Sequence, residues 1–101
     1  MESPEAVIFK LVRERSVYRG EITREHALYH DLRVYGDDAY EIIADLHSKF
    51  GTTFEGFGFT TYFPTEGLFG DFFAWRLRDK RPQLTIGHLI AVVERGHWFE
   101  P

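Results

Sequence analysis

Cysteine is absent from this 101-residue chain. Neither a disulfide nor a thiolate metal site can form, and the expected setting is a reducing compartment, the cytoplasm. No apolar run approaches the ~20 residues that a membrane-spanning helix needs. The first residues, Met1-Glu2-Ser3-Pro4-Glu5, are acidic where a secretory signal would be basic, so no export signal is expected there. Positive charge is also short. Twelve Lys and Arg against sixteen Asp and Glu leave a net charge of −4, which argues against nucleic acid as a partner. The only serines are Ser3, Ser16 and Ser48, so a nucleophile–base pair has few candidates. Repeats, linkers and low-complexity tracts are missing, and a single domain over residues 1–101 is expected. Aromatic rings are plentiful: ten Phe, five Tyr and two Trp.

The chain is organised around the stretch from Asp31 to Phe50, read as a helix entered through Gly36-Asp37-Asp38. At 100° per residue, Asp37, Asp38, Glu41, Asp45 and Ser48 fall within an arc of about 100°. Ala39, Tyr40, Ile42, Ile43, Leu46 and Phe50 fill about 160° on the other side. One face therefore packs a core and the other is acidic. Asp38 and Glu41 have the spacing of a capping box, and Gly51 suits the left-handed position that ends a helix.

Around this stretch the signals are simpler. Ser3-Pro4-Glu5 starts a first helix that is expected to run from about Pro4 to Arg15, with Val7, Ile8, Leu11 and Val12 as its apolar stripe. Between Ser16 and Gly36 the periodicity weakens. A short helical turn is expected from Thr23 to Tyr29, with Leu28 and Leu32 anchoring a long packed loop. Residues 52–63 read as a loop and short helix that plug aromatic rings into the core, with a strand as the alternative. A helix is expected from Leu68 to Leu77, although strand alternation fits equally. Thr85 caps a last helix that Gly96 ends, and the tail with Trp98 is expected to fold back on the body.

A first helix, a long loop closing on Asp31-Leu32, an acidic second helix and a final helix opened by Thr85 together resemble an acyl carrier protein. The resemblance is best from Leu28 to Phe50 and from Thr85 to Gly96. The chain is more similar still to small bacterial proteins of unknown function described as carrier-protein-like, through Asp31-Leu32, Gly36-Asp37-Asp38 and Tyr62-Phe63-Pro64. The resemblance implies an all-α fold, a small irregular helical bundle, here with an extra Phe/Trp-rich segment before the last helix. A carrier protein attaches phosphopantetheine to a serine at the start of its second helix. The matching position here is Gly36, or Asp37 with a one-residue slip, and neither has a hydroxyl. The resemblance thus implies the fold without the prosthetic group, and no cofactor is expected. Carrier proteins also dock on basic patches of their enzymes through the acidic second helix. The matching residues are Asp37, Asp38, Glu41 and Asp45.

The expected function is a non-catalytic interaction module that docks, through these four acids, on another protein with a basic patch. A monomer or weak homodimer is expected, with no membrane partner. A plain solvated helix face is the bland alternative. A genuine acyl or peptidyl carrier with a non-standard attachment site is a second alternative. A third is a small metal- or ligand-binding enzyme using His26 and His30, four residues apart with Asp31 beside them and Glu25 as an added oxygen ligand, together with the Asp37–Asp38 pair. Catalysis through Asp37 and Asp38 would need the two carboxyls to differ in environment, which an exposed helix start does not provide. The basic run Arg76, Arg78, Lys80 and Arg81, beside Trp75, could bind single-stranded nucleic acid or pair with the acidic helix.

Overall fold

The computed structural model describes residues 2–63 and 81–101. The expected helix from Leu68 to Leu77, and the basic run except Arg81, lie outside the described residues. Within them the protein is helical. Among the described residues there are four helices, α1 (Pro4–Arg15), α2 (Gly36–Phe50), α3 (Phe59–Tyr62) and α4 (Ile86–Arg95), and no sheet. Extended pairing among the described residues is limited to two isolated bridges, Ala27 with Thr85 and Thr53 with His97.

The start of α1 follows from its sequence. Ser3 Oγ accepts the Ala6 N–H at 3.1 Å, and Pro4 occupies a position whose missing N–H costs nothing. The i, i+1, i+4, i+5 spacing puts Val7, Ile8, Leu11 and Val12 on one buried stripe. That stripe packs against both α2 and α4. Helix α4 repeats the scheme. Thr85 Oγ1 accepts the His88 N–H at 3.1 Å, and Leu89, Ile90, Val92 and Val93 are buried.

The loop between α1 and α2 is packed, as expected, but of the helical turn expected from Thr23 to Tyr29 only one turn forms, closed by His26 N–H donating to Thr23 O at 3.2 Å. The rest of its backbone is paired elsewhere. Leu28 N–H donates to Leu84 O at 2.9 Å, Ile86 N–H to His26 O at 3.0 Å and Gly87 N–H to Arg24 O at 2.9 Å. These bonds sew the loop to the entrance of α4, and they use groups a helix would have needed. A compact turn follows, in which Asp31 Oδ2 accepts the Ala27 N–H at 2.7 Å and Val34 N–H donates to Leu28 O at 2.8 Å. Leu28, Leu32 and Val34 are thereby driven into the core.

Helix α2 starts earlier than the capping box requires. Its N-cap is Tyr35, which makes no side-chain cap bond, and its first residue is Gly36. Gly36 is buried and has φ +63°, the left-handed region that side-chain-bearing residues avoid. With α2 already started at Gly36, the Asp38–Glu41 box does not form, and Asp37 and Asp38 lie in the first turn. There they sit near the positive end of the helix dipole. Gly51 ends the helix at φ +70°, as the sequence indicated.

Candidate functional site

The buried stripe of α2 is narrower than the apolar count of its sequence. It consists of Gly36, Ala39, Ile42 and Leu46. Ile43 is partly buried. Tyr40, expected in the core, is 64% exposed. It sits at the rim of the helix, where the edge of Phe59 in α3 meets its ring at 6.2 Å and 68°. Core packing on α1 takes only the centre of the apolar arc and leaves this ring outside.

Asp37, Asp38, Glu41 and Ala44 are exposed, and Asp45 is half-buried. The outward face of α2 therefore combines an aromatic ring, a small apolar residue and four carboxylates. The acids are not equivalent. Arg15, in the last turn of α1, reaches across to the C-terminal half of the group. Its guanidinium lies 3.3 Å from Glu41 Oε1 and 3.8 Å from Asp45 Oδ2, and its side chain is only 19% exposed. A second weak contact, 3.9 Å, goes to Glu14. Such pairs near the surface contribute about 0–1 kcal/mol each, but they change the surface that a partner meets. Asp37 and Asp38 lie one turn further toward the helix start.

Arg15 and the exposed Tyr40 are the parts of this face that sequence reasoning missed. No local spacing links Arg15 to Glu41, 26 residues away. Arg81, the one described member of the basic run, donates from Nε to Thr60 O at 3.4 Å.

His26 and His30 do not form a ligand pair. Without a helix beneath them the i, i+4 spacing loses its meaning. His26 Nδ1 accepts the Thr23 N–H at 3.0 Å, and its ring lies 5.6 Å from that of Tyr18. Both ring nitrogens of His30 are buried without a hydrogen-bond partner among the described residues, and its ring lies 5.1 Å from that of Tyr29. Among the described residues no three His, Cys, Asp or Glu side chains come together as a metal site would require. A groove of about 110 Å³ between α1 and the end of α2, lined by Glu2, Val7, Lys10, Leu11, Glu14 and Lys49, is well below the roughly 300–1,000 Å³ typical of ligand pockets. No helix among the described residues is long and apolar enough to cross a membrane.

Residues 2–100 match the family described as "Protein of unknown function (DUF1493)". The chain belongs to that family. No curated protein and no solved structure matches it. The family match spans α1 to α4 and the tail together, so the α2 face and the segment that folds back over α3 lie within one family unit.

That returning segment forms the second cluster. Trp98 is buried, 4.6 Å from the Phe57 ring and 5.5 Å from that of Tyr62. Tyr62 Oη donates to Glu100 Oε2 at 2.5 Å. Burial first, then this hydrogen bond and the adjacent negative charge, push the Tyr62 hydroxyl up to about 12.

Proposed function

We propose that this protein is a non-catalytic interaction module of the acyl-carrier-protein type, without a phosphopantetheine arm. Its docking surface is the outward face of α2, and its partner is a protein that presents a basic patch. The observation that carries this reading is the grouping of Tyr40 with Asp37, Asp38, Glu41 and Asp45 on one exposed side of a single helix. Interfaces draw most of their energy from a few aromatic or Arg anchors, while rim charges steer and orient the encounter. An exposed ring beside four carboxylates supplies both parts. The backbone at Gly36 supports the missing arm, because a left-handed position at the helix start selects against the serine a carrier needs. The lack of cysteine supports a cytoplasmic setting. The module is monomeric or weakly dimeric.

Two measurements test the reading. Co-expression with a phosphopantetheinyl transferase, followed by intact-mass analysis, should give the unmodified mass; a gain of one phosphopantetheine would make the protein a true carrier. Proteins captured from a lysate of the source organism should be lost when Glu41 and Asp45 are changed to Lys, and retained when the exposed Glu94 of α4 is changed to Lys. Equal capture by all three forms would remove the docking role.

A further inference from the structure

The segment after α4 is held more firmly than a surface tail requires. Thr53 N–H donates to Gly96 O at 3.0 Å, and Trp98 N–H donates to Thr53 O at 2.8 Å. His88 Nε2 faces Phe99 O at 2.8 Å, so that nitrogen carries the proton. Tyr62 Oη donates to Glu100. The Arg95 guanidinium lies 4.4 Å above the Phe99 ring. These contacts join three separate places: the loop after α2, α3 and α4.

Helix α3 is the weakest of the three. It has four residues, too few to stand without tertiary support. Its two ends face different neighbours. Tyr62 lies against Trp98 and Glu100 of the tail, while Phe59 meets the exposed ring of Tyr40 on α2. One short helix thus sits between the tail and the aromatic member of the α2 face.

We propose that residues 96–101 form a strap that holds α3 in place, and that through Phe59 the strap sets the position of Tyr40. The use of this coupling, control of docking, rests on the function proposed above; the coupling itself needs no partner. Trp98 supplies the physical basis for release. Its Nε1–H is buried without a hydrogen-bond partner among the described residues. An unpaired buried donor weakens the docked state.

The test uses the full chain, with Tyr62→Phe to remove only the hydroxyl latch, and a second form ending at Gly96. Two readouts are followed by NMR: exchange of the Phe63 amide, which donates to Phe59 O at 2.9 Å across α3, and the Tyr40 ring resonances. In both forms Phe63 should exchange about tenfold faster or more, the Tyr40 signals should shift, and the interior amides of Leu46 and Val92 should keep their native rates. Unchanged Phe63 and Tyr40 signals would overturn the proposal. So would equal acceleration of Leu46, Val92 and Phe63, which would make the tail an ordinary part of one cooperative core. If the shortened chain does not fold, Tyr62→Phe decides alone. Neither readout involves a partner, so failure of docking and failure of coupling are told apart.

Discussion

Replacing Gly36 with serine puts a side chain on backbone held at φ +63°. The left-handed conformation costs a residue with a Cβ roughly 1–2 kcal/mol, and the site is buried, which leaves little room to relax. The opposite expectation is just as definite. At an ordinary helical position, replacing glycine removes a penalty of roughly 0.5–1 kcal/mol and stabilises the protein. The sign of the change therefore reports the backbone directly. Urea unfolding followed by far-ultraviolet circular dichroism is the assay. With a slope of about 1–3 kcal/mol/M, Gly36→Ser and Gly36→Ala should both lower the midpoint by roughly 0.3–2 M. Gly36→Asn should lose less, because asparagine tolerates the left-handed region. In thermal unfolding the same loss corresponds to roughly 4–15 °C. A rise in the midpoint for Gly36→Ala would refute the reasoning. It would mean that α2 starts with ordinary geometry, and that steric exclusion of a side chain is not why this position is a glycine.

Two further outcomes follow from the charges. Arg15→Gln should cost about 0.5–1 kcal/mol in low salt, and the difference from the parent should shrink in molar NaCl as exposed partners are screened; a salt-independent difference would mean packing, not charge, holds Arg15. Tyr62 has its hydroxyl raised to about 12 from an ordinary value near 10, so the fold favours its neutral form. That stability is complete below pH ~10 and is lost as pH rises toward 12. Two units correspond to at most about 2.7 kcal/mol, and solvent at the exposed Glu100 reduces this to about 1–2 kcal/mol. Alkaline titration of folding stability should show this loss in the parent and less of it in Tyr62→Phe.

The parts of the fold that were legible in the sequence are those decided locally. Ser3 and Thr85 start α1 and α4 because their hydroxyls reach those helix ends, and Gly51 and Gly96 stop α2 and α4. Leu28 and Leu32 were legible as anchors of the loop, which also buries Ala27, Tyr29 and Val34. Trp98 was too large to leave in water. What stayed hidden depends on distant partners. Most of the helical turn expected at Thr23–Tyr29 gave way to pairing with residues 84–87, which no local pattern announces. The capping box at Asp38 is absent because α2 already starts at Gly36, with Tyr35 as its N-cap. The candidate face was half legible. Its four acids were read from the helix period alone. Tyr40 was assigned to the core because a wheel counts it as apolar, whereas α1 covers only the central stripe of α2. Arg15 belongs to a contact across the fold, and helix periodicity carries no information about it.

The most direct measurement of a docking face on α2 is photo-crosslinking in living cells of the source organism. A benzophenone amino acid is placed at Tyr40 in one strain and at Glu94 on α4 in another. The predicted result is a discrete adduct from position 40, to a protein with a basic surface, lost when Asp38 and Glu41 are changed to Lys, with no such adduct from position 94. The same adducts from both positions, or none from position 40, would contradict it.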